Sequence, residues 1–311
     1  MSDSVVKPLE TLVEETRRQI HPYIFQRLES RRPKLPGKKI AKTITVTSGK
    51  GGVGKTNLVA NLAICLAQAG RKVTIIDADL GLANIDVIFG IRPKTNLNDV
   101  INGNLTLDQI IIPGPCGVQI IAGGSGISEL AHLAPESAQR LFNQLRFLED
   151  RTDYLLIDTG AGISQNVISF CLAADQIIVV TTPEPTSLAD AYGIIKIISQ
   201  SGKGCQVGIL VNRVGSEEEA LFVQDRLEKV ALEFLNFPLQ RLGSIPQDKQ
   251  MYLAVRQQTP LMLFSPMSPA ASSIREIVSR AFNETVPEDK DAGIEGFLGK
   301  LAAFFRRQTK P

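Results

Sequence analysis

SGKGGVGKT, residues 48–56, is the stretch from which the fold can be read. From Gly49 to Thr56 it matches the pattern G-x-x-x-x-G-K-[ST] in full. Gly49, Gly51, Gly52 and Gly54 let the backbone curl until its N–H groups point inward, a cradle for phosphate oxygens. Lys55 can reach the β- and γ-phosphates of a nucleotide, and the Thr56 hydroxyl can coordinate Mg²⁺. A helix opening at Thr56 adds the positive end of its dipole. The plain alternative is a glycine-rich turn that matches by chance. Context argues against it, because KTITVTS (42–48) reads as a strand and residues 56–69 as a helix. With Val53 and Asn57 included, Gly49–Asn57 is the candidate site for a nucleotide with Mg²⁺.

Outward from the loop the alternation repeats. KVTIID (72–77), VQIIAG (118–123), YLLIDT (154–159), QIIVVTT (176–182), CQVGILVN (205–212) and RLGSIP (241–246) are short β-branched runs, apolar on both faces. Strands of a parallel sheet covered on both sides have this character. Helical segments fit at 135–149, 188–200 and 217–232, and 270–282 reads as a closing helix. The pattern predicts an α/β fold over residues 42–282, with a doubly wound, mainly parallel sheet flanked by helices. Residues 1–41 read as a helical and basic extension, with a weak helical pattern over 9–29 interrupted by Pro22 and a basic linker SRRPKLPGKK at 30–39. NETVPEDKDAG (283–293) reads as an acidic linker, and 294–311 as a separate amphipathic tail.

Composition excludes several classes. A chain of 311 residues with 43% hydrophobic and 21% charged residues is ordinary globular material, and a net charge of +2 argues against a strongly basic nucleic-acid binder. Cys65, Cys116, Cys171 and Cys205 form no C-x-x-C pair, and His21 and His132 are far apart. A metal-cysteine site, a disulfide framework and a histidine triad are therefore not expected, and reduced thiols in cytosol are the simpler reading. MSDSVVKPLE has no apolar core of a secretory signal, and no apolar run is long enough to span a bilayer.

Carboxylates recur at the ends of the strands. DADLGLANIDVIFG (77–90) places Asp77 and Asp79 after the second run, where an acid can orient a water or support a metal shell. YLLIDTGAGIS (154–164) ends a buried run in Asp158, suited to Mg²⁺, followed by Gly160 and Gly162. Asn212 closes another run, where its amide could meet a base edge. Each taken alone is consistent with a solvated turn; beside a phosphate loop the functional reading is stronger.

Lys50 is not required by the phosphate motif, and alone would be one more solvated lysine. With it, SGKGGVGKT resembles the deviant phosphate loop of the MinD/ParA family of dimerising ATPases. The resemblance covers about residues 42–282. It implies Mg²⁺-dependent ATP hydrolysis in a nucleotide-sandwich homodimer. Lys50 would reach the partner's phosphates, and Lys50, Lys55 and Asp79 would be catalytic, with Asp79 orienting the water. It also implies Thr56 and Asp158 at the metal, and Asn212, Arg213 and Pro246 at the base. DADLGLANIDV, DTGAGIS, TTPEPTSLADAYG (181–193) and AVRQQTP (254–260) look most like the branch called FlhG or FleN, which controls flagellar number and placement. Partners implied are an FlhF-type GTPase, a flagellar transcription regulator or a switch component. The DQAxxLR-like motif of that branch is not found in residues 1–41.

The tail supplies the last expectation. On a helix, Ile294, Phe297, Leu298, Leu301, Phe304 and Phe305 fall within an arc of about 120°, and Lys300, Arg306 and Arg307 lie outside it. Such a helix suits an anionic membrane surface, so the expected protein is a cytoplasmic switch that associates peripherally with the inner face of the cell membrane. The plain alternative is a helix packed back on the core. A ParA-type DNA-partition ATPase is the alternative function, and the tail argues against it. An iron–sulfur carrier lacks its paired cysteines, a tyrosine kinase of this fold lacks a terminal tyrosine cluster, and a non-enzymatic scaffold does not account for the metal and water-handling residues.

Overall fold

The computed structural model describes residues 40–79, 84–124, 135–201, 206–282 and 292–308, with the side chains of 305–308 outside that description. The expected helix at 9–29, the linkers at 30–39 and 283–291, His21, His132, Cys205 and the side chains of Phe305, Arg306 and Arg307 lie outside the described residues.

The sheet is organised around β1 (Lys42–Ser48), which runs between β5 (Tyr154–Ala161) and β6 (Gln176–Thr181). β2 (Val73–Ala78), β4 (Gln119–Ile121) and β3 (Ile112–Pro113) extend it on one side, and β7 (Gln206–Val214) and β8 (Gln240–Pro246) on the other. The order is β3-β4-β2-β5-β1-β6-β7-β8, and every pair is parallel except β3 with β4. All seven expected strands form. The eighth, β3, is a two-residue antiparallel edge ending in Pro113, too short and too proline-limited to leave a periodic signal.

Side-chain alternation assigns the faces. Ile44, Val46, Ile75, Leu156, Ile178 and Leu210 point to one face, into a core completed by α1 (Lys55–Gln68) and, much later in the chain, the helix Pro269–Ala281. Ile76, Leu155, Ile157, Ile177, Val179 and Ile209 point to the other. β1 departs from the expected all-apolar strand, because Thr43, Thr45 and Thr47 line one side of it, all buried. Two of the three are satisfied locally. Thr43 donates its backbone N–H and its hydroxyl to Asp175 Oδ2 at 2.8 and 2.7 Å, and Thr45 donates to the carbonyl of Phe170 at 3.0 Å.

Between the strands run α2 (Ile85–Phe89), α3 (Leu97–Ile101), α4 (Leu107–Ile110), α5 (Pro135–Leu145), α6 (Gln165–Ala173), α7 (Pro185–Gln200) and α8 (Glu217–Leu235). After β8 come α9 (Lys249–Arg256), α10 (Leu261–Phe264), α11 (Pro269–Ala281) and α12 (Gly293–Gln308). Among the described residues no helix is long and apolar enough to cross a membrane.

The placement of α12 differs from the separate tail expected from sequence. Ile294, Phe297, Leu298 and Leu301, read as membrane-facing, are 0–2% exposed and pack into the core beneath α5 and α6. The rings of Phe297 and Phe170 stack with centroids 6.3 Å apart, and Phe304 is partly buried against the same cluster. The physical reason is a matching groove, in which α6 and the start of β1 present apolar surface beside the buried threonine row. Two carboxylates fasten the start of the helix. Asp175 accepts from the N–H of Gly293 at 3.2 Å, and Glu149 accepts from the N–H groups of Glu295 at 3.1 Å and Ala41 at 3.0 Å. Gly293 has φ +80°, and a Cβ there would strike Ile40.

Candidate nucleotide site

The parallel register brings the strand-end residues to one level. Asp77 on β2 and Val46 on β1 both pair with Asp158 on β5, so the loops after all three strands leave the sheet side by side. In an open α/β sheet this carboxyl end, where neighbouring connections diverge, is the ligand crevice.

Residues 49–54 fill it. Gly52 (φ +78°) and Gly54 (φ +96°) take the left-handed backbone that turns the chain into α1, whose first N–H groups lack intrahelical partners and face the crevice. Gly49 is required for a different reason, since the backbone of Asp190 on α7 occupies the space of a Cβ. Lys55 is 7% exposed; burial pulls its ammonium below the usual lysine range, and Asp158 and Asp79 pull it back.

Asp158 is 1% exposed, and neither carboxylate oxygen makes a hydrogen bond of good geometry, although the Thr56 hydroxyl lies close by. Burial, reinforced by Asp77, pushes its pKa up to about 8, against the pull of the Thr56 hydroxyl and the Lys55 ammonium. A buried carboxylate beside a threonine hydroxyl is a donor set that suits Mg²⁺. Among the described residues no group of three or more His, Cys, Asp or Glu could hold a metal alone.

The two aspartates at the end of β2 differ. Asp77 is buried and accepts from the N–H groups of Asp79 at 3.1 Å and Ile85 at 3.3 Å, so it organises the bend; burial raises its pKa to about 6. Asp79 is half-buried, and its Oδ1 lies 3.3 Å from where a Cβ on Gly160 would stand, so it reaches across to the end of β5. Residues 80–83 lie outside the described residues.

Beyond Gly54 opens a cleft of about 360 Å³, whose lining includes Asn57, Asn212, Arg213 and Pro246. Met251, Tyr252 and Val255 of α9 complete it and were not singled out from sequence. Their signal was the apolar spacing after IPQD (245–248). Asn212 also does something the sequence did not indicate, for its Nδ2 donates to the carbonyl of Val53 at 2.7 Å, tying the phosphate loop to the end of β7. Lys50 points away from the cleft, to Glu184 and Thr186. The six expected membrane-facing residues are remote from the crevice in sequence and lie on α12.

A family model described as ParA, "NUBPL iron-transfer P-loop NTPase", matches residues 39–282. The chain belongs to the ParA/MinD family of P-loop NTPases. Similar members include the antiactivator FleN of Pseudomonas aeruginosa, 38% identical over 260 residues that cover 84% of this chain and 93% of that protein. The flagellum site-determining protein YlxH of Helicobacter pylori is 35% identical over 270 residues, covering 86% and 90%. Among solved structures, the septum site-determining protein MinD of Pyrococcus horikoshii, complexed with Mg-ADP, is 27% identical with a TM-score of 0.62, covering 78% of this chain and 97% of that one. The doubly wound fold, ATP and Mg²⁺ expected from sequence therefore agree with the family. The iron transfer named in that family description finds no C-x-x-C pair in this chain.

Proposed function

We propose that this protein is a Mg²⁺-dependent ATP hydrolase that dimerises around ATP, cycles on and off the membrane, and controls the number or placement of flagella. Thr56 and Asp158 would hold the Mg²⁺ ion, which when bound supplies charge neutralisation at the phosphates. Lys55 and the N–H groups of residues 49–56 would bind and orient the phosphates. Asp79 would orient the attacking water, and Lys50 would reach the phosphates held by a second copy. Asn212, Arg213 and Pro246 would border the base. The flagellar part of the proposal rests on the names of FleN and YlxH. An FlhF-type GTPase, a flagellar transcription regulator or a switch component is the partner class that follows. The proposed location is cytoplasmic, with peripheral attachment.

The membrane reading over DNA partition is supported by the amphipathic sequence of α12, and it requires α12 to leave the groove in which it is docked. Its face is apolar, its buried side chains are each worth about 1.5–3 kcal/mol when kept from water, and it ends in Arg306 and Arg307. That face can contact the core or a bilayer, but not both. Docked, it is unavailable to a membrane; two released tails on one ATP dimer gain effective concentration.

The test is co-sedimentation with anionic vesicles in ATP or ADP, with duplex DNA as competitor. ATP should raise vesicle binding, ADP should release it, and DNA should not compete. Arg306→Glu with Arg307→Glu should abolish vesicle binding at unchanged nucleotide affinity and melting temperature. Removing α12 is a poorer variant, because it would uncover the groove. Undiminished vesicle binding by the double variant, or displacement by DNA, would sink the membrane reading.

A further inference from the structure

One contact ties the head of the phosphate loop to the start of α7. Lys50 Nζ donates to Glu184 Oε2 at 2.7 Å and to Thr186 Oγ1 at 3.0 Å. Glu184 is the N-cap residue of α7, and Thr186 lies in its first turn. An ammonium has three donors, and two are engaged here within the same chain. The backbones on both sides are fixed. The hydroxyl of Ser48 donates to the carbonyl of Lys50 at 2.7 Å, and Gly49 sits directly against the backbone of Asp190 on α7. The loop and the helix are closely packed here, so a swing of the lysine side chain is the smallest movement that releases it. In return, the hydrogen bond and charge of Lys50 hold the Glu184 carboxyl below the usual range.

We infer that Glu184, assisted by Thr186, is a positioning residue that holds the Lys50 ammonium in its own chain and competes for it with the phosphates of a nucleotide carried by a second copy. The inference rests on the reading above in which Lys50 crosses the dimer. It assigns to Glu184 a setting of how readily ATP assembles that dimer. The pair is exposed, with the side chains 39% and 59% accessible, so each lysine is held by a factor of about 1.5 to 5, the range for exposed ion pairs. A two-fold dimer must release both lysines. The factor is therefore squared, giving about 2- to 25-fold in the dimer dissociation constant.

The test is sedimentation or light scattering of the full chain with Mg²⁺ and a non-hydrolysable ATP analogue. Glu184→Gln keeps the shape and removes the charge, and should tighten the dimer by that factor. Thr186→Val should act in the same direction, more weakly. The affinity of dilute monomer for nucleotide and the melting temperature should not move. Salt should shrink the difference between wild type and Glu184→Gln, since exposed pairs are screened. A merely structural Glu184 would not give that salt dependence. Equal dimer constants for wild type and Glu184→Gln, in a protein whose Lys50→Ala form has lost the dimer, would overturn the role of Glu184 and leave the reading of Lys50 standing. A weaker Glu184→Gln dimer would overturn it too, by placing Glu184 among the dimer's own contacts. If Lys50→Ala dimerises like wild type, the cross-dimer reading fails and this inference fails with it.

Discussion

Asn212 stands where a strand end, the phosphate loop and the base cleft meet. Read from sequence it is an amide aimed at a base. In the fold its Nδ2 donates to Val53, its Oδ1 accepts from the N–H of Arg213 at 2.9 Å, and the residue is buried. Removing the amide leaves a loop carbonyl without its partner, a loss of about 1–3 kcal/mol. Asn212→Ala should therefore weaken inorganic triphosphate as well as ATP, each by roughly 5- to 150-fold, measured by titration calorimetry. If triphosphate binding held and ATP alone weakened, the residue would serve the base and not the loop. The same contrast runs through the site. Asp158 is legible in sequence as an acid ending an apolar run, but the burial of its oxygens is a product of three strands in register. Glu184 stood in plain view in TTPEPTSLADAYG, yet its partner lies 134 residues away, beyond any local pattern.

Elements carry a different ambiguity. The apolar stripe of α12 was legible, because Ile294, Phe297, Leu298 and Leu301 recur at helical spacing. What the stripe faces was not, since a bilayer and a protein groove ask for the same side chains. The groove is assembled from β1, α5 and α6, which are distant in sequence, so periodicity alone could not choose. Phe297→Ala removes the ring stacked on Phe170 and should cost the docked helix about 3–5 kcal/mol. Hydrogen exchange should then speed up at residues 297–304, whose amides are bonded within α12, while the amides of β1 and β5 keep their protection. Unchanged exchange in α12 would mean that the stacked ring does not hold it. The short helices α2, α3, α4 and α10 were missed for a simpler reason. At four or five residues each, they span little more than one turn and cannot display a period.

At the scale of the whole molecule, the sheet was legible because a parallel sheet covered on both sides demands long-buried β-branched runs, and each run here ends in a turn carrying chemistry. The placing of α1 and α11 on one face of the sheet and of α5 to α8 on the other follows from that alternation. The covering of one face partly by α12 did not, and it has a thermodynamic consequence. A helix that leaves the core for lipid keeps its own apolar face dry, but the groove it vacates meets water. Apolar surface newly exposed to water raises heat capacity by about 0.45 cal/mol/K per Å². For a groove matching four buried side chains, the increment is on the order of +0.1 to +0.3 kcal/mol/K per protomer. A peptide of residues 293–311 entering the same anionic vesicles would only lose apolar exposure, and its heat-capacity change should be negative. Titration calorimetry at several temperatures, with the ATP analogue present, should thus give opposite signs for the full chain and its own terminal peptide. A full chain that matched the peptide in sign would mean that the groove is not uncovered when the membrane is reached.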